Sequence, residues 1–193
     1  MTGKHHGPSE ILSAFQLAGE KLDWPSEVEL VIVGGAAGML LGIWHAERVT
    51  EDADIVEISP PTQPRRAVLQ AAKEAAEELG LSPHWLNDDF MAFGTLDTLP
   101  DGWRQRCVEI GRFGKLRITS LGRQDLLAMK VYAARPQDIE DVLACSETLT
   151  HDDLSFIRRY LDSLRASHRK QIGADQLGRA FAVLDSLSEE IDP

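Results

Sequence analysis

Apolar residues recur at three- and four-residue spacing over residues 10–22, where Ile11, Leu12, Phe15 and Leu22 share one face. The spacing predicts a helix with Ser9 as its N-cap, ended by Trp24-Pro25 because the residue before a proline is driven out of the α region. Residues 27–33 predict a strand whose end, Val31-Ile32-Val33, is β-branched and continuously apolar, as in a strand buried on both faces. Gly34-Gly35 lets the backbone turn sharply into a short apolar helix over 36–44. Residues 45–50 link it to a second strand over 53–58, closed by Pro60-Pro61. Thr62 as a cap and Pro64 in the first turn open a helix that runs to Leu79 and stops at Gly80.

Residues 81–101 are rich in turn formers and acids and predict loops with short strands, with Trp85 covering one edge of a cleft. Residues 106–111 and 115–120 alternate as two strands around an Arg112-Phe113-Gly114 turn. Helices follow over 121–134 and 136–143, separated at Pro136. Leu154, Ile157, Leu161 and Leu164 mark another helix. After a polar linker over 167–173, Leu177, Phe181, Leu184 and Leu187 mark the last.

Within this pattern, residues 31–56 carry the chemistry. A glycine turn into a helix presents unpaired N–H groups, which suit phosphate. Asp52 and Asp54 are two apart, so on an extended segment their side chains leave the same face. Two carboxylates held together repel unless a cation neutralises them, and hard oxygen ligands suit Mg²⁺. A phosphate cradle beside a dicarboxylate metal site is the minimum for metal-assisted nucleotidyl transfer. VIVGGAAG also suits the opening of a dinucleotide site, with Glu57 near the ribose position, but Val33 stands where the first glycine of G-x-G-x-x-G belongs. That reading ranks third, behind a catalytic and a binding-only nucleotide site.

Gly34-Gly35 followed by Arg48-x-Thr50-x-Asp52-x-Asp54 resembles the signature of the nucleotidyltransferase superfamily, in the compact form of AbiEii-type toxins of bacterial toxin–antitoxin systems. A second block, Lys130-Val-x-Ala133-x-Arg135-x-x-Asp138-x-x-Asp141, resembles the same pattern, with Gln137 in place of an arginine. The resemblance implies an α+β fold, a nucleotidyltransferase-like mixed central sheet flanked by helices. Residues 1–145 would form that domain, with 146–193 as a helical extension packed on it. One or two Mg²⁺ ions would sit on Asp52 and Asp54. Gly34, Gly35, Arg48, Thr50 and Asp138 would bind the nucleoside triphosphate, Arg48 through phosphate or by bracing the two acids and Thr50 by positioning the loop. Lys130 would be catalytic. A tRNA 3′ end or a protein hydroxyl would be the acceptor, and an antitoxin protein a partner.

Lys130 leaves its helix between Leu126, Leu127, Ala133 and Ala134, an apolar face where a charge needs a partner; Asp138 or a triphosphate would supply one. Asp138 and Asp141 are neighbours on one helix face, with Asp141 read as a solvated acid. The superfamily's third acid belongs on a later strand, here 115–120, whose inward Ile118 and Thr119 are not acids. Glu109 or Asp97 would have to substitute, and without a third acid a catalytically inactive nucleotide- or partner-binding protein is the alternative.

Composition narrows the picture further. A net charge of −11 over 193 residues argues against a protein that coats nucleic acid. An acidic chain that admits tRNA would need a restricted basic face, and Arg104, Arg106, Arg112, Lys115, Arg117 and Arg123 are the first candidate. Arg158, Arg159, Arg165, Arg169 and Lys170 form a second. Cys107 and Cys145 lack metal-ligand spacing and read as small hydrophobes. His5-His6 reads as part of a frayed terminus. With no apolar run of membrane-spanning length and no signal-peptide core, a cytoplasmic location is expected.

Overall fold

A computed structural model describes residues 5–45, 47–60, 64–92, 95–167 and 174–191; Thr62, Arg169, Lys170 and most of the 167–173 linker lie outside the described residues. Helix α1 (Pro8–Lys21) precedes β1 (Val28–Val33), α2 (Gly34–Leu40) and β2 (Ala53–Ser59). Helix α3 (Pro64–Leu79) leads to a two-residue strand, β3 (Leu86–Asn87), and to one helical turn, α4 (Asp89–Ala92). The hairpin β4 (Val108–Phe113) and β5 (Leu116–Ser120) is followed by α5 (Arg123–Ala133), α6 (Pro136–Leu143), α7 (His151–Ala166) and α8 (Ala174–Ile191).

The strands form one mixed sheet in the order β3-β2-β1-β5-β4. Its centre is β1, which explains that strand's unbroken apolar run: Val28, Leu30 and Ile32 are fully buried and Val31 and Val33 nearly so. The fold is therefore α+β, a mixed central sheet flanked by helices. β1 runs antiparallel to β2 and parallel to β5. A dinucleotide-binding βαβ unit needs its first two strands parallel, so the antiparallel β1–β2 pair removes the Rossmann alternative.

Local differences from the sequence pattern have identifiable causes. Pro8 occupies the first turn of α1, so the helix starts earlier and Gly7, not Ser9, is the N-cap; the Gly7 N–H donates to Glu10 at 3.0 Å. Helix α2 is shorter than 36–44 because the chain turns at Leu41-Gly42 and Trp44 packs back into the core. Trp85 does not border a cleft. It is fully buried, meets Phe15 edge-on at 5.2 Å between ring centroids, and donates its indole N–H to the Ala72 carbonyl at 2.9 Å. A large ring with one polar atom is accommodated where apolar surface and one acceptor coincide, and there it ties α1 and α3 to the sheet.

Helices α7 and α8 pack on α5. Gln176 of α8 donates its amide to the Ala133 carbonyl at 2.8 Å and to that of Tyr132, taking up carbonyls that the end of α5 would otherwise leave unpaired. Among the described residues, no helix is long and apolar enough to cross a membrane.

Candidate active site

Strand register delivers the acids to the glycine turn. Val33 pairs with Asp54 and Ile32 with Ile55, so Asp54 stands beside Gly34 where β1 ends. Gly34 has φ 79°, and a Cβ there would lie 3.0 Å from Asp54 Oδ2. A side chain at this position would strain the backbone and press on the carboxylate. A Cβ on Gly35 would meet Thr50 Oγ1 at 3.1 Å and Arg48 Nη2 at 3.2 Å, so the loop before β2 closes directly over the turn.

That loop is held from two sides. The Thr50 hydroxyl donates to the Asp52 carbonyl at 2.9 Å, and the Thr50 backbone exchanges two hydrogen bonds with His6, of 2.7 and 3.0 Å. Pairing with Thr50 buries His6 completely, so this part of the N-terminus is anchored rather than frayed.

Asp52 and Asp54 line a cleft of about 710 Å³ together with Gly34, Gly35, Arg48 and Thr50. Burial pushes the Asp54 carboxyl up to about 6, and the charge of Asp52 adds to the effect. Burial and the neighbouring Glu51 raise Asp52 as well, against the Asn87 amide that donates to Asp52 Oδ2 at 3.2 Å. Two half-desolvated carboxylates thus face each other with only one neutral donor between them, and a hard divalent cation would relieve the repulsion. Asp52 and Asp54 fit Mg²⁺ in donor type, and they are the residues that would hold it.

The third acid is not where the strand pattern places it. Strand β5 lies on the far side of β1 from β2; the neighbour of β2 is β3, whose Asn87 pairs with Asp54. Glu109 is exposed at the opposite edge of the sheet and bound to Arg117 at 2.8 Å, and Asp97 is exposed outside the cleft lining. Among the described residues no three His, Cys, Asp or Glu side chains are grouped so that they could hold a metal ion. The nearest further carboxylate is Asp89 at the start of α4. It lines the cleft, and its charge raises both Asp52 and Asp54. Its signal in the sequence was the polar run Asn87-Asp88-Asp89 directly after a two-residue apolar stretch.

The other wall is cationic and cross-linked. Lys130, 7% exposed, reaches Asp138 Oδ1 at 2.8 Å and Asp141 Oδ2 at 2.7 Å. Arg48 binds Asp141 Oδ1 at 2.8 Å, and Arg135 binds Asp138 Oδ2 at 2.6 Å. Asp141 is therefore no solvated acid: it is 7% exposed and shared by two cations. Arg48 braces Asp141 rather than Asp52 and Asp54. Burial alone would raise Asp138, but hydrogen bonds from Arg135 and Lys130 hold its carboxyl below the usual range. Three cations against two carboxylates leave this wall with one surplus positive charge.

The basic face proposed over residues 104–123 is mostly neutralised. Arg104 binds Glu57 through Nε at 2.7 Å, Arg106 binds Asp125 at 2.6 Å, Arg112 binds Glu27, and Arg117 binds Glu109. Arg123 approaches Asp153 at 3.5 Å. In the second cluster, Arg158 binds Asp185 at 2.9 Å and Arg165 lies over the Phe181 ring.

A central antiparallel strand pair that presents a glycine turn and two paired acids, opposite a surplus-cation wall, defines a nucleotidyltransferase-type site. The chain belongs to the family described as nucleotidyltransferase of unknown function, DUF6036, whose model matches residues 10–180. No curated protein and no solved structure matches the chain.

Proposed function

We propose that the protein transfers a nucleotide from a nucleoside triphosphate to a hydroxyl of an RNA, such as a tRNA end, or of a protein. The observation that carries this reading is the Asp52–Asp54 pair, buried with raised proton affinity beside a glycine turn that tolerates no side chain. In the reaction the acceptor oxygen bonds to the α-phosphorus, the bond to the departing pyrophosphate breaks, and the acceptor gives up its proton. A divalent cation held by Asp52 and Asp54 supplies charge neutralisation and Lewis acidity. The Gly34-Gly35 turn receives the outer phosphates. Lys130 and Arg135, fixed by Asp138, offset charge that develops on them, and Arg48, fixed by Asp141, adds to the same wall. Leu126, Met129 and Tyr132 of α5 offer the cleft an apolar side for the base.

Incubation with labelled nucleoside triphosphates, Mg²⁺ and total RNA or cell protein tests the proposal. Label should pass to an acceptor and disappear with Asp54→Asn. Transfer undiminished in that variant would overturn it. A toxin role with an antitoxin partner rests on the Gly-Gly and Arg48-to-Asp54 resemblance alone; it predicts growth arrest on expression that Asp54→Asn relieves.

Nucleotide binding without turnover is the second reading, favoured by Asn87, a neutral side chain, at the strand position beside Asp54. It predicts a nucleotide- and Mg²⁺-dependent rise in melting temperature with no label transferred to any acceptor.

A further inference from the structure

A second groove, of about 940 Å³, meets the nucleotide cleft at Asp52 and Asp89, which line both. Its far wall is the exposed side of α3. Arg66, Leu69, Gln70 and Lys73 follow one another there at helical spacing, and Pro83 and His84 face them from the turn before β3. We propose that this groove binds the 3′ end of a single-stranded polynucleotide and leads its terminal hydroxyl to the acids. The inference rests on the transferase reading, to which it adds the acceptor's class and place.

Three observations carry it. The first is position. In an in-line displacement the entering oxygen approaches opposite the departing group, so the acceptor must arrive by a route other than the one holding the outer phosphates. The α3 groove opens on the acids from the side away from Gly34, Gly35 and Lys130, none of which lines it.

The second is charge. The arginines of the 104–123 face are held by carboxylates, whereas Arg66 and Lys73 are exposed and have no ion-pair partner among the described residues. Arg65 in the same groove is taken by Asp88, leaving Arg66 and Lys73 as its uncommitted cations. They stand seven residues apart, about 10 Å along a helix axis. One phosphate cannot satisfy both, while successive phosphates of a strand can.

The third is surface. Leu69 lies between the two cations, and Pro83 and His84 lie opposite. An acidic peptide would match the charge, but apolar and π faces interleaved with cations are what unpaired bases stack on. The overall acidity of the chain then confines polynucleotide to this groove, since elsewhere the surface repels it.

The test is fluorescence anisotropy without nucleotide, using a fluorescein-labelled 12-nucleotide RNA of mixed sequence with a free 3′-hydroxyl and a DNA 12-mer of the same sequence. Wild-type protein should bind at least one, with affinity falling as salt rises. Arg66→Glu with Lys73→Glu should weaken binding at least about tenfold and reduce the salt slope by about two, one per lost phosphate contact. The thermal shift with nucleotide and Mg²⁺ should stay as in wild type, showing a folded protein with an intact cleft. RNA binding alone, DNA binding alone, or both would name the source of the strand and support the groove. Absence of binding by either oligonucleotide, unchanged affinity in the double variant, or label passing only to protein would overturn it. Failure of the transferase reading has a different signature: oligonucleotide binding that the double variant abolishes, with no transfer of label.

Discussion

The two walls of the cleft use the same residue types in opposite electrical arrangements. On the β2 wall, Asp52 and Asp54 are drawn out of water with only the Asn87 amide between them, and burial raises both. On the α5–α6 wall, Asp138 and Asp141 are buried at least as deeply, yet each is shared by two cations, and hydrogen bonds overcome burial to hold Asp138 low. Burial is common to both pairs, so it cannot be what separates them; the presence of fixed cations is. The first wall is left incomplete in the protein and is finished by a ligand. The second is complete and acts as scaffold. A site that needs a mobile cation and a fixed field requires one wall of each kind.

The largest expected consequence is in turnover. Asp54→Asn should reduce nucleotidyl transfer about a thousandfold, or about 4 kcal/mol of transition-state stabilisation, with the folded state unharmed because the residue removed was repelled by its surroundings. Urea unfolding run beside the activity assay checks both halves. The scaffold wall should behave in reverse. Lys130→Met strands two buried carboxylates and should lower stability by about 3 kcal/mol. Adding Asp141→Asn should return part of that loss, since the second change removes one of the stranded charges. Equal destabilisation by Asp54→Asn and Lys130→Met would erase the distinction between the walls.

The two walls also differed in how far they could be read from the chain. The Gly34-Gly35 turn, the strand carrying Asp54 and the Thr50 loop are local, written within some twenty residues, and β-branched runs and glycines mark them directly. The partnership of Lys130 with Asp138 lies within eight residues and was equally accessible. Arg48 and Asp141 are 93 residues apart, and no periodicity links them; only the packing of α6 beside the loop before β2 brings them together. Strand β3 escaped as a site-bearing element because two residues carry no period, and with it went the positions of Asn87 and Asp89. The cations of 104–123 showed their number in sequence but not their partners. Glu27, Glu57, Asp125 and Asp153, which neutralise them, come from four other segments.

Proton linkage offers a smaller effect with opposite signs at the two walls. In the folded protein Asp54 titrates at about 6, above the 3.8 of a free aspartate. Between those values the folded chain holds more protons than the unfolded one, so metal-free stability falls as pH rises through that window and stays low above it. Relative to Asp54→Asn, wild-type protein should lose on the order of 2 kcal/mol between pH 4 and pH 7, a value reduced from the full shift because the carboxylate is half exposed. Millimolar Mg²⁺ should flatten the difference. Asp138 is held low, so its contribution is present at neutral pH and is lost as pH falls through its depressed value. Asp138→Asn should therefore cost stability at pH 7 and progressively less in acid. Parallel slopes for the two variants would contradict the assignment of the walls.

The smallest change tests whether the incomplete wall is shaped as well as charged. Gly34→Ala keeps every ionisable group but places a methyl 3.0 Å from Asp54 Oδ2, on a backbone at φ 79° that a side chain disfavours by about 1 kcal/mol. Part of that cost appears as a modest fall in the urea midpoint. The rest is specific, because the methyl pushes the carboxylate from the position it shares with Asp52 and occupies space at the phosphate turn. The rise in melting temperature with Mg²⁺ and nucleotide should shrink by more than the apo midpoint falls. Removal of the carboxylate charge by Asp54→Asn should abolish the same rise while leaving the apo midpoint unchanged or higher. If Gly34→Ala instead lowers the apo and ligand-bound midpoints equally, the glycine serves only the turn, and charge alone distinguishes the two walls.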